Sequence, residues 1–308
     1  MIHALASRRP VLWGTAFALS AALGGQSLMS TPASADRLLD EPSAVSGYTY
    51  VTQTSASNSD SARSVSARCP RGKVVLAGGA RIVGGGLHVL LRGSYPGHSS
   101  SRHEWLATAE EILGGTTAKW SLQAYAVCAT KPAGLAYVRA ESPFNSNSPK
   151  AHAAVCPRGT ELIGVGARVR GASHRVGINR MTILSRRSDS ARAAEVVGTD
   201  RAWAVTAHAT CAKSLQQSFR ESSVRSVVGP ARSGTAFASC PFGSRAYGVG
   251  FQTAGSLTTL NRLAPMELRP TQIPLLPALP VGGWATVSEL TPGTLNQWSL
   301  KAQVICIR

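Results

Sequence analysis

The chain has 308 residues, 32 basic and 15 acidic, for a net charge of +17, with 44% apolar and 6% aromatic residues. That apolar share can fill a core, which excludes a disordered chain, and no apolar run reaches the length of a membrane helix. The Arg residues are scattered without a run of five, so nucleic acid is disfavoured as a partner.

Residues 1–35 read as an export signal. Arg8 and Arg9 supply the positive start, Val11 to Leu23 a short apolar run, and Ala33-Ser34-Ala35 a small-residue cleavage site after Ala35. Ser7-Arg8-Arg9-Pro10-Val11-Leu12 also fits the twin-arginine pattern, so the general and twin-arginine routes both stay open. Without Arg8 and Arg9, 30 basic residues face 15 acidic ones, a net charge of +15. The most apolar later segment, Ile273 to Trp284, is broken by Pro274, Pro277 and Pro280 and cannot span a membrane. The expected location is secreted, outside the cell.

After a flexible segment at 36–46, the chain reads as three β repeats at 47–130, 131–215 and 216–308. Each opens an inner strand with Cys-Pro-x-Gly (Cys69, Cys156, Cys240) and ends on a Trp-x7-Cys strand: Trp120 to Cys128, Trp203 to Cys211, Trp298 to Cys306. Between them, Gly79, Gly166 and Gly250 share one position without a gap. Tyr50-Val51 and Tyr137-Val138 both lie 19 residues before their Cys, with Val227-Val228 as the counterpart in the third repeat. In repeat one, short β-branched and aromatic runs predict strands at 47–54, 63–69, 74–82, 87–95, 104–110 and 120–129, the first two readable either as separate strands or as one interrupted strand. No sustained helical stripe occurs.

The fold class is therefore all-β, in three antiparallel units of about 80–90 residues. They pack either around a pseudo-threefold axis as a prism or in line as small sandwiches. The linkers Lys131–Gly134 and Lys213–Ser223 are short, which favours contact between units. Six cysteines in an exported chain indicate disulfides, and the repeat selects Cys69–Cys128, Cys156–Cys211 and Cys240–Cys306. No Cys-x-x-Cys is present for a metal site.

Alternation along the last strand puts Trp120, Leu122, Ala124, Ala126 and Cys128 on one face, which reads as core rather than a sugar platform. On the other face His208 replaces Tyr125 and Gln303, a solvent-facing position. Trp105 and Trp284, in the preceding strand of units one and three, do not recur in unit two, where Ala194-Glu195-Val196 stands; they are the better candidates for touching a ligand. Glycine mid-strand at 79, 166 and 250 requires a bulge or the close approach of a neighbouring unit.

The chemistry is sparse. His98, His103 and Glu104 form the one local cluster that could hold a metal or move protons. No Gly-x-Ser-x-Gly elbow exists, and Glu104, Glu110, Glu111 and Glu289 are the acids to weigh for glycoside hydrolysis, with Glu110 and Glu289 reading as solvated strand ends. No catalytic residue, metal site or cofactor is assigned. The candidate binding residues are Trp105, Trp284, Arg168, Arg170, Arg180, Arg186 and Arg187, the Arg for an anionic wall polymer or polysaccharide.

Cys-Pro-x-Gly, then Gly-x-Gly, then Trp-x7-Cys resembles a repeat of secreted actinobacterial proteins, over about Tyr48 to Arg308. Most of those proteins have no assigned activity, so the resemblance implies a secreted β module. More remotely, the three-unit design is similar to the β-prism of vitelline membrane outer layer proteins, which implies three Greek-key sheets about a pseudo-threefold axis. The leading expectation is a non-enzymatic binding or structural protein at or outside the cell envelope. The alternatives are an extracellular hydrolase of polysaccharide or envelope, and a secreted inhibitor or toxin-like protein.

Overall fold

The computed structural model describes residues 45–99, 101–213, 215–225, 233–271, 281–291 and 296–308. The signal segment lies outside these residues.

Unit one contains β1 (Thr49–Thr54), β2 (Ala62–Arg68), β3 (Val74–Gly84), β4 (Val89–His98), β5 (His103–Glu111) and β6 (Trp120–Ala129). Unit two contains β7 (Ala136–Glu141), β8 (Lys150–Val155), β9 (Glu161–Gly171), β10 (Val176–Ser185), β11 (Ser188–Glu195) and β12 (Trp203–Ala212). Unit three contains β13 (Gln217–Arg225), β14 (Ser233–Ser239), β15 (Arg245–Ala254), β16 (Leu263–Thr271), β17 (Gly282–Glu289) and β18 (Ser299–Ile307). One turn of helix, α1 (Leu257–Leu260), is capped by Ser256, whose Oγ accepts from the Thr259 amide at 3.3 Å. All six predicted strands of repeat one are present; the first two are separate strands in different sheets.

Every unit divides itself between two sheets. Sheet I runs β1-β6-β3-β16-β17-β14, sheet II β2-β5-β4-β9-β12-β7 and sheet III β13-β18-β15-β10-β11-β8. Thus the first, sixth and third strands of a unit form half of one sheet, and its second, fifth and fourth form half of the next. All pairings are antiparallel, and the halves meet at Ala80↔Leu268, Gly93↔Arg168 and Met181↔Phe251. The cycle closes on itself, which rules out three sandwiches standing in line.

The recurrent glycines sit at these seams. A Cβ on Gly79 would stand 1.9 Å from the Leu268 oxygen, one on Gly166 2.8 Å from the Ser94 oxygen, and one on Gly250 2.8 Å from the Met181 oxygen. In each case the obstacle is the backbone of a different unit, so close approach is the reason for glycine. A second set lies where β3, β9 and β15 converge: a Cβ on Gly164 would meet the Leu76 oxygen at 2.2 Å, and one on Gly248 the Ile163 oxygen at 2.7 Å.

The disulfides pair Cys69–Cys128, Cys156–Cys211 and Cys240–Cys306, with Cα atoms 5.6, 5.7 and 5.6 Å apart. Cys69 still belongs to the β2–β5 ladder, since its amide donates to the His103 oxygen at 2.9 Å, whereas Cys128 lies in β6. Each bridge therefore staples the two sheets that its unit helps to build.

Trp120, Trp203 and Trp298 are buried on the Cys face, as alternation predicts. Their Nε1 atoms donate to Glu111 at 3.0 Å, Glu195 at 3.1 Å and Glu289 at 2.8 Å, each the last residue of its unit's fifth strand. Arg63 caps the Trp120 ring at 4.5 Å and Lys150 the Trp203 ring at 4.1 Å. Gly234 takes the corresponding place in unit three, six residues before Cys240. Glu289 is therefore a buried structural acid rather than a solvated strand end.

Two register readings need correction. Val227 and Val228 lie outside the described residues, and the place of Tyr50-Val51 is held by Phe219-Arg220, because Phe219 pairs with Ile305 as Tyr50 pairs with Val127. Trp105 and Trp284 are not counterparts either. Trp105 faces Ala67, two residues before Cys69, whereas Trp284 faces Phe237, three before Cys240. One residue of offset puts them on opposite faces. The true counterparts of Trp105 are Asp189, opposite Ala154, and Gly283, opposite Ala238. Core volume is traded accordingly: Gly78 makes room for Trp105, while Val249 and Val304 fill the space over Gly283.

Candidate binding surface

The outer face of sheet II gathers aromatic and basic side chains. Strand alternation decides which ones. In β12, Trp203, Val205, Ala207, Ala209 and Cys211 are buried toward the core, so His208 points the other way. Opposite His208 stands Gly166, and the missing side chain there admits Tyr95 of β4 from the neighbouring unit. The Tyr95 ring stacks on His208 with centroids 5.1 Å apart, and the Arg168 guanidinium lies 5.5 Å from the same ring. His208 is half-buried rather than solvent-facing, because the seam strand folds over it; its Nε2 is enclosed without a hydrogen-bond partner. Burial, with Arg168, Arg139 and His98 adding to it, pushes its pKa down to about 4.

At the end of β4, the His98 ring stacks on Tyr137 of β7, centroids 4.1 Å apart. Tyr137 Oη donates to the Val75 oxygen at 2.6 Å and faces His103 Nδ1 at 3.4 Å. Burial and Arg139 hold His98 below the usual imidazole range; burial, His98 and Lys131 do the same to His103. On β9, Arg170 bonds Glu141 at 2.6 Å and lies 4.2 Å from the ring of Phe144, which is exposed. That bond holds the Glu141 carboxyl below its ordinary value.

The other two faces differ at the same register. In sheet I, Tyr125 stacks with Tyr50 at 5.9 Å under Arg269, which is tied to Glu267. In sheet III, Gln303 donates to Glu221 at 2.6 Å, and Lys301 bonds Glu221 at 3.0 Å. Both are neutralised locally, and histidine stands at this register only in sheet II.

The sequence candidates fall in several places. Arg168 and Arg170 belong to the sheet II face. Arg180 lies in β10 of sheet III, paired across the ladder with Arg192. Arg186 and Arg187 occupy the β10–β11 hairpin, where Arg186 bonds Glu161 at 2.8 Å and Arg187 donates to the Cys156 oxygen at 2.9 Å. Trp105 is fully buried and donates to Ser94 Oγ at 2.9 Å, which removes it from any ligand surface. Trp284 is half-buried against Phe237, and its Nε1 donates to Thr286 Oγ1 at 3.1 Å. Tyr95, Tyr137 and Arg139 were not among the binding residues expected from sequence, because the β4–β9 seam that assembles them joins two different units.

A cleft of about 550 Å³ separates the edge strands β1 and β2, lined by Val51, Gln53, Ser55, Ser64, Ser66 and Arg68 among others. The same positions in unit two are Val138, Ala140, Ser142, Ala151, Ala153 and Val155, so the Ser64 and Ser66 hydroxyls are not repeated.

The acids weighed for hydrolysis are engaged. Glu104 is bonded by Arg68 at 3.3 Å, Glu110 by Arg92 at 3.5 Å, and Glu111 and Glu289 by their tryptophans. Glu110 also accepts from the His174 amide at 2.8 Å, so it is not a free strand end. Among the described residues no group of three or more His, Cys, Asp or Glu is placed to hold a metal ion, and no helix is long and apolar enough to cross a membrane. No family model matches the sequence, and no curated protein matches it.

Proposed function

We propose that this is an exported, non-enzymatic protein that binds anionic polymers at or outside the cell envelope. The observation that carries the reading is the outer face of sheet II, where Arg139, Arg168 and Arg170 are all exposed and the nearby Glu141 is bonded to Arg170. Three disulfides fit assembly in an oxidising compartment, as the signal-like N-terminus also suggests. The disulfide-stapled prism supplies a rigid support that does not depend on the ligand. None of the carboxylate geometry favours the hydrolase reading.

The test is retention on immobilised heparin and on purified wall polymer, at low and high salt. Contacts that release counterions make retention fall steeply as salt rises. Arg139→Gln with Arg168→Gln is expected to lower the eluting salt more than Arg186→Gln with Arg187→Gln. Retention of the native protein no greater than that of a neutral protein of similar size would overturn the reading.

A further inference from the structure

We propose that Arg180 and Arg192 form a binding site for a tetrahedral dianion, either the terminal phosphate of a ligand or phosphate itself. The site lies on the outer face of sheet III and is separate from the sheet II surface.

The two arginines are direct partners across the β10–β11 ladder. Alternation turns both outward, since Ala191 and Ala193 beside Arg192, and Ile178 and Met181 around Arg180, are buried in the core. Asn179 is the extra residue of a bulge between Ile178 and Arg180. Its Nδ2 donates to the Leu260 oxygen at 2.9 Å and so ties down the loop after α1. Asn261 of that loop reaches Arg192, its Oδ1 accepting from Nη2 at 3.4 Å. Arg192 is 7% exposed and Arg180 is half-buried. On the far flank Ala151 of β8 stands opposite Arg192 and is exposed, so the pair is approached over a short side chain.

No acid on these strands neutralises the pair. Strands β8, β10 and β15 contain none. The two acids of β11, Asp189 and Glu195, alternate to the core side, where Glu195 accepts from Trp203. Arg92 shows how this fold satisfies a buried arginine: it donates to the oxygens of Gly171, Ala172 and Val176 and pairs with Glu110. Arg192 has one long bond to Asn261 instead. Among the described residues Arg180 has neither a hydrogen bond nor an ion pair, and its Nε is enclosed without a partner. Burial, with Arg180 adding to it, holds the Arg192 guanidinium below its ordinary value. A buried guanidinium beside a second one is unfavourable until an anion joins them. Two guanidinium forks match the oxygens and the charge of a tetrahedral dianion.

The fold itself requires neither residue. At the same bulge the ladder pairs Gly93 with Thr108 in sheet II and Glu267 with Thr286 in sheet I. Glu267 is bonded by Arg81 and Arg269. In sheet III a cation replaces that acid, and a second cation stands where both other units have threonine.

Calorimetry at about pH 8, where phosphate is mostly doubly charged, measures binding of inorganic phosphate and of glucose 6-phosphate at fixed ionic strength. Both are expected to bind the native protein, and glucose is not. Arg180→Gln with Arg192→Thr should weaken binding at least about tenfold, because each guanidinium supplies charge-assisted hydrogen bonds. Thr108 and Thr286 already fill the counterpart of position 192, so threonine fits there. Arg220→Gln, exposed on β13 of the same sheet, removes one charge and keeps the native affinity. Phosphate should also raise the urea midpoint of the native protein and leave that of the double variant unchanged. Tighter binding of the sugar phosphate assigns the site to a terminal phosphate on a larger ligand, and tighter binding of inorganic phosphate to the free ion. No binding of either, or an affinity that survives the double substitution, overturns the site. Neither result bears on the sheet II reading, which is tested through Arg139 and Arg168.

Discussion

Asp189 supplies the sharpest test of the core. It stands in β11 at the position of Trp105 and Gly283, 2% exposed, and its Oδ1 has no hydrogen-bond partner. Burial pushes its pKa up to about 8 from 3.8, against the opposing pull of the Ala154 and Gly166 amides. The folded protein thus holds this proton to about pH 8, whereas the unfolded chain releases it near pH 4. Between those limits the folded state binds more protons, so stability falls as pH rises. At 1.36 kcal/mol per pH unit the cost is near zero at pH 4, about 4 kcal/mol at pH 7 and about 6 kcal/mol from pH 8 upward. Asp189→Asn keeps the shape and removes the ionisation. Guanidinium unfolding with the disulfides intact, at pH 4.0, 5.5, 7.0 and 8.5, measures the difference between the two proteins. The stability gain of the variant is expected to widen by about 4 kcal/mol from pH 4.0 to 7.0. A difference that stays constant across the series would refute the argument.

Other consequences follow from the seams, staples and buried rings. Gly79→Ala or Gly250→Ala forces a methyl into another unit's backbone and should cost at least about 2 kcal/mol by chemical denaturation, whereas Gly198→Ala, with open space around it, should be near neutral. Cys156→Ser with Cys211→Ser opens a loop of 55 residues and should lower stability by about 4 kcal/mol while leaving the strand signal in circular dichroism. Glu111→Ala leaves the buried Trp120 Nε1 unpaired, a loss of about 1–3 kcal/mol with a shifted tryptophan emission. For His208 the sign is opposite to Asp189. Its folded pKa near 4 lies below the ordinary 6.5, so stability falls as pH drops through that window. His208→Gln should recover about 2 kcal/mol at pH 5.

The strands and disulfides were legible because they repeat within one chain. A Cys, a Trp and a Gly at fixed offsets three times over leave one alignment, and alternation along Trp120–Cys128 then assigns its faces. What alternation could not supply was the partner of an outer-face residue. His208 and Tyr125 lie on the side that an isolated unit would expose, yet Tyr95 or Arg269 from another unit's strand covers each. Those contacts depend on the register of β4 on β9 and of β16 on β3, which nothing local encodes. The Trp105–Trp284 pairing failed on register: Trp105 stands 15 residues before Trp120 and Trp284 14 before Trp298, and one residue reverses the face.

The division between repeated and unrepeated positions also separates stability from recognition. The elements that hold the prism recur: three bridges, three seam glycines and three Trp–Glu pairs. A defect in one unit propagates to both sheets which that unit shares, so these positions have little freedom to diverge. The centre of each outer face carries no such constraint. It holds Tyr125, His208 or Gln303, each with a different set of neighbours. Three chemically distinct faces on a single rigid support are what unequal recognition requires.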